Sequence, residues 1–121
     1  MNPETATKEA MSIEGAIGVA LVDYESGMCL ESLGGGRDFD LEIAAAANTE
    51  VVRSKVRALE MLGLDDRVED MLITLSGQYH LIRLLEGSGG SLFLYLALDR
   101  SRSNLALARH RLKQIDAELR L

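Results

Sequence analysis

The sequence predicts an α+β protein: a five-stranded antiparallel sheet with helices for both of its faces, in the element order α-β-β-α-β-β-β-α. Three observations carry this expectation. Short apolar runs rich in β-branched and aromatic residues alternate with turn residues, and two longer segments repeat apolar residues at intervals of three and four. The run Leu92-Phe93-Leu94-Tyr95-Leu96-Ala97-Leu98 has no polar alternation, so both of its faces are covered and the strand is central. With 121 residues the chain fits one domain, residues 1–121.

Each element has a local cause. Good helix formers from Glu4 to Ile13 follow Pro3 and predict a short helix, its first turns (residues 1–12) free to fray. Gly15 opens a strand at Ala16–Val22. Asp23-Tyr24-Glu25-Ser26-Gly27 supplies turn chemistry, and Met28-Cys29-Leu30 begins the return strand of a hairpin that Gly34-Gly35-Gly36 interrupts. Asp38 and Asp40 are candidate N-caps for a long helix from Leu41 to Leu62, which Gly63 ends. Two apolar stripes run along that helix: Leu41, Ala45, Val52 and Leu59 on one, and Ile43, Ala47, Val51, Ala58 and Met61 on the other. A single buried face does not require both. The link Asp65-Asp66 leads to three strands, about Val68–Leu75, Gln78–Glu86 and Ser91–Leu98, joined by Ser76-Gly77 and Gly87-Ser88-Gly89-Gly90. Charges on the first of the three suit a sheet edge. Ser101 or Ser103 can cap a last helix carrying Leu105, Ala108, Leu112, Ile115 and Leu119.

Charge and composition narrow the function classes. The net charge of −6 opposes nucleic-acid binding, which needs clustered Lys and Arg. The distribution is uneven, with six basic and two acidic residues in 100–121 and seven basic against seventeen acidic in 1–99. The single cysteine cannot form an internal disulfide, the start lacks a basic-then-apolar leader, and no apolar run approaches the roughly 20 residues of a membrane span. A cytoplasmic protein that does not insert into membranes is expected.

The chain is poor in chemistry-bearing motifs. None of its glycine clusters precedes the Lys and Ser/Thr of a nucleotide loop, and Gly15-Ala16-Ile17-Gly18 lacks dinucleotide spacing. Neither His80 nor His110 has a histidine partner one helical turn away, and Asp65-Asp66 and Glu69-Asp70 lack the rhythm of a calcium loop. No metal and no cofactor is expected. Cys29, in an apolar strand, reads as a small hydrophobe with a raised thiol pKa, and His80 as a strand residue with one hydrogen bond. What remains is surface: an open strand edge beside a helix with spare apolar area, two features that a second copy can satisfy together.

Gly15–Asp23 followed by Ser26-Gly27, and Ala44–Ala47 leading into the long helix, resemble the roadblock family, which includes the roadblock-type dynein light chains. Asp70–Leu85, Leu92–Leu98 and Asn104–Arg109 keep the same order, so the resemblance spans Ile13 to about Leu119 and is strongest to small stand-alone actinobacterial members. It implies a profilin-like three-layer α/β/α sandwich without catalytic residues that forms homodimers through the long helix and the edge strand. Matched by position, the self-association residues are Val51, Val52, Lys55 and Leu59 on the helix and Asp70, Leu72 and Thr74 on the strand. Val52→Asp is therefore expected to weaken the dimer. Bacterial relatives often partner small Ras-like GTPases, so a GTPase-regulating or scaffolding adaptor is the implied function. A small-molecule sensor, with its ligand between helix and sheet, is the alternative.

Overall fold

The computed structural model describes residues 1–88 and 90–120; Leu121, and Gly89 of the expected turn before the last strand, lie outside the described residues. The elements are α1 (Pro3–Met11), β1 (Ala16–Asp23), β2 (Cys29–Gly34), α2 (Leu41–Met61), β3 (Asp70–Thr74), β4 (Gln78–Leu84), β5 (Leu92–Asp99) and α3 (Leu105–Glu118). Short 3-10 turns at Glu86–Ser88 and Arg100–Arg102 flank β5. All pairings are antiparallel and the strand order is β2-β1-β5-β4-β3. The unalternated run is thus the middle strand.

Strand alternation sorts the core into two layers. Val19, Leu21, Leu81, Leu94, Leu96 and Leu98 point to one side, where Ala6 and Ala10 of α1 and Ala108, Leu112 and Ile115 of α3 cover them. Ala20, Val22, Ile82, Phe93, Tyr95 and Ala97 point to the other, beneath Leu41, Ala45 and Val52 of α2. The result is the three-layer α/β/α sandwich. At the start of α2 the layers approach closely: a Cβ on Gly18 would stand 3.1 Å from Leu41 Cδ2 and 3.0 Å from the Gly35 nitrogen.

Element ends depart from the sequence reading where caps and pairing decide them. Asn2 caps α1, its side chain accepting from the Thr5 N–H, so the helix starts at Pro3 and stops at Met11, short of Ile13. Of the two aspartates before α2, Asp40 is the cap, accepting from the Glu42 and Ile43 N–H groups. α3 is capped by Asn104, not by Ser101 or Ser103, which belong to the 3-10 turn and its end. β3 begins at Asp70, and β4 ends at Leu84 because the chain turns at Glu86. Gly63, at φ +68°, follows the end of α2 as expected.

Most of the basic tail is spent on the body of the protein itself. Arg111 pairs with Glu9 of α1, Arg109 with Asp70, and Arg102 with Asp99 at 3.3 Å. Arg100 donates to the Leu75 carbonyl at 3.1 Å and lies over the Tyr79 ring. Deeper in, Arg83 of β4 and Asp116 of α3 form a buried ion pair, Nε to Oδ2, at 3.0 Å. Met1 also meets the end of α3 on this side, its ammonium donating to the Glu118 carbonyl at 2.6 Å and its carbonyl accepting from the Arg120 N–H at 2.7 Å.

Candidate interaction surface

The two stripes on α2 separate cleanly. Adjacent helix positions point about 100° apart, so Val51 and Val52 cannot share a face. Leu41, Ala45 and Val52 are buried and Leu59 half-buried, with Thr49 joining them by bonding its hydroxyl to the Ala45 carbonyl at 2.8 Å. Ile43 (67% exposed), Val51 (38%) and Met61 (81%) face outward. Arg53 anchors the middle of the helix to the β1–β2 turn through the Tyr24 and Glu25 carbonyls and stands over the Tyr24 ring.

β2 and β3 are the outer strands of the sheet. β3 pairs only with β4, and no described strand covers its outer side. Between the C-terminal half of α2 and this edge runs a groove of about 500 Å³ lined by Lys55, Leu59, Asp66, Arg67, Val68, Glu69, Asp70, Met71 and Leu72.

Of the residues matched by position, the structure brings Lys55, Leu59, Asp70 and Leu72 to this one groove. Val51 stands on the outer stripe, and Thr74 is exposed at the far end of β3. Val52 is a correction: it is fully buried against its own sheet and belongs to the core of a single copy. Asp70 is already held by Arg109, with Nε to Oδ2 at 3.0 Å and Nη2 to Oδ1 at 3.1 Å. Leu72 and Thr74 pair with Leu81 and Tyr79, which pack on the α1–α3 side, whereas Met71 packs on the α2 side. A surface built from α2 and β3 therefore wraps around the sheet edge.

Sequence reasoning missed three exposed leucines, Leu62 and Leu64 in the link that follows α2 and Leu75 just past β3. The signal was present in Met61-Leu62-Gly63-Leu64, where leucines flank a helix-ending glycine and no element of their own hides them. It also missed a polar chain under α2. His80 has two partners, not one: its Nε2 meets Gln78 Oε1 at 2.7 Å and its Nδ1 meets the Tyr95 hydroxyl at 3.1 Å. Because Gln78 Oε1 only accepts, Nε2 carries the proton and Nδ1 accepts from Tyr95. The Phe39 ring packs edge-on to His80 and stacks with Tyr95. Burial lowers the His80 pKa and pushes the Tyr95 phenol up to about 12, with a hydrogen bond from Asn48 opposing the latter.

The remaining candidates offer little chemistry. The half-buried Cys29 thiol donates to the Glu31 carbonyl at 3.4 Å, and burial raises its pKa. Among the described residues no three His, Cys, Asp or Glu side chains converge as metal ligands, and no helix is long and apolar enough to cross a membrane.

No family model and no curated protein matches the chain. Solved structures do. The chain is similar to Myxococcus xanthus MglB, at 21% identity over 95% of this chain and 85% of that one, with a TM-score of 0.77. It is also similar to a Roadblock/LC7 domain from Streptomyces avermitilis, at 12% identity over 98% and 94%, with a TM-score of 0.80. MglB in a tetrameric arrangement gives 15% identity over 94% and 82%, with a TM-score of 0.79. At these identities the likeness is one of fold, and the fold is that of the roadblock family.

Proposed function

We propose that this roadblock fold serves as a homodimeric, non-enzymatic adaptor in the cytoplasm that binds a small Ras-like GTPase and regulates it or scaffolds its signalling complex. The observations that carry the reading are the outward apolar stripe of α2, Ile43, Val51 and Met61, and the groove that joins the Lys55–Leu59 flank of the same helix to the unpaired edge of β3. Each feature is costly in isolation, and a two-fold partner removes both costs at once by pairing strand with strand and helix with helix. The tetrameric arrangement of MglB supports self-association of this fold. The GTPase half rests on the resemblance of Gly15–Asp23 and the elements after it to a family whose bacterial members often partner such GTPases. The sensor alternative gains nothing from the space between α2 and the sheet, which the side chains of Ala20, Val22, Ile82, Phe93 and Tyr95 fill.

The test is to mix the purified protein with small GTPases from the same genome and to measure complex formation and nucleotide hydrolysis. Binding with altered or unaltered hydrolysis supports, respectively, regulation or scaffolding. Absence of both across the set overturns the GTPase half.

A further inference from the structure

On the side of the sheet opposite α2, two hollows of about 510 and 200 Å³ share Glu69, Arg83 and Lys113 and form one cleft between α3 and the β3–β4 ribbon. Arg83 lies in it, only 7% exposed. Its Nε is committed to Asp116 Oδ2, while Asp116 Oδ1 accepts the Glu86 N–H at 3.1 Å. No described residue accepts from Nη1 or Nη2. Yet no fully enclosed side-chain nitrogen or oxygen of a described residue lacks a partner. The two terminal nitrogens therefore sit where solvent reaches this otherwise buried residue, which is the cleft. A guanidinium whose inner edge is pinned by a carboxylate presents its outer edge as a rigid pair of donors.

The charges around it are mostly spoken for. Asp70 is clamped by Arg109, Glu86 is paired with Arg67 at 2.7 Å, and the Arg120 Nη1 donates to the Ala117 and Leu119 carbonyls. Lys113 and Glu69 have no ion-pair partner among the described residues.

We propose that this cleft is a binding site for a single carboxylate group, received by Arg83 Nη1 and Nη2 and flanked by the Lys113 ammonium. A planar monoanion matches the two parallel donors. A phosphate dianion would also meet the unpaired Glu69 in the same cleft, and a like charge there opposes a second negative charge. The carboxylate belongs either to a free organic acid or to an acidic side chain of a bound protein. The site stands apart from the α2 stripe and does not depend on self-association.

The experiment follows the arginine Nε–H signals by NMR during titration with sodium acetate, with sodium chloride at equal ionic strength, with inorganic phosphate, and with an end-blocked peptide carrying one glutamate. Saturable movement of the Arg83 signal with acetate but not chloride is expected, and Lys113→Gln should weaken it about threefold without unfolding the protein, since Lys113 is exposed. Arg83→Lys keeps the charge but loses the fork, so in that variant the backbone amide signal of Glu86, which borders the cleft, should no longer move saturably with acetate as it does in the unaltered protein; Lys113→Gln keeps the proposal testable if that variant does not fold. Peptide binding about tenfold tighter than acetate supports the site and assigns it to a protein ligand, and equal binding supports it as a site for free acids. The same movement with chloride, tighter binding of phosphate than of acetate, or unchanged affinity in Lys113→Gln overturns the proposal.

Discussion

At the scale of single residues, the neighbours Val51 and Val52 separate stability from association. Val52 is wholly enclosed, so Val52→Asp places a charge where nothing can pair with it and should unfold the protein or lower its melting temperature steeply, as read by circular dichroism. Val51→Asp, on the outer stripe, should leave the melting curve of dilute protein nearly unchanged. Equal losses for the two substitutions would contradict their opposite placement. The sequence reading put both on the self-association surface because matching by position ignores the 100° turn between consecutive helical residues. His80 gives a second prediction. Its folded pKa lies below the unfolded value of about 6.5, so the unfolded chain binds more protons as pH falls through that range. This group's contribution to stability is complete above about pH 6.5 and declines below it, and His80→Gln should flatten the pH dependence of the melting temperature below about pH 6.5. No charged group is among the causes of the His80 shift; the titratable group facing it is Tyr95, from β5, while Phe39 and Ile73 lie alongside.

At the scale of elements, α3 is fastened to the sheet by both an apolar stripe and a buried ion pair. Asp116→Ala strips the mostly buried Arg83 of the carboxylate on its Nε and leaves the Glu86 N–H without its acceptor, and should cost about 3 kcal/mol in urea unfolding. Replacing the pair together, Arg83→Met with Asp116→Leu, should recover most of that loss, because the buried charge leaves with its partner. If the double replacement were no better than the single one, the pair would be doing more than neutralising itself. The elements themselves were legible because their causes are local: the turn at Asp23–Gly27, the glycine after α2 and the unalternated β5 each announce themselves within a few residues. The caps were less so. Ser103 and Asn104 are both good candidates by type, and only the preceding 3-10 turn, which bonds Asp99 to the Ser101 N–H, moves the helix start on to Asn104. Arg83 and Asp116 are 33 positions apart, a separation at which sequence spacing says nothing about contact.

At the scale of the whole molecule, the groove was partly legible: a surplus apolar stripe and a charged edge strand pointed to α2 and β3, but their junction at Asp66–Asp70 depends on packing. Sedimentation at micromolar concentration should report twice the 13.2 kDa chain mass, with Met61→Lys and Val51→Asp shifting it toward the single chain. A particle of one chain mass across the accessible concentrations would refute the dimer. The charge asymmetry of the sequence closes largely inside the fold, since Arg102, Arg109 and Arg111 each neutralise a carboxylate of the body. The contacts of Met1 with Glu118 and Arg120 bear on how the molecule is handled. A dye, a surface anchor or a purification handle attached at the first residue sits behind the sheet, at the back of α1 and α3, and leaves α2 unobstructed.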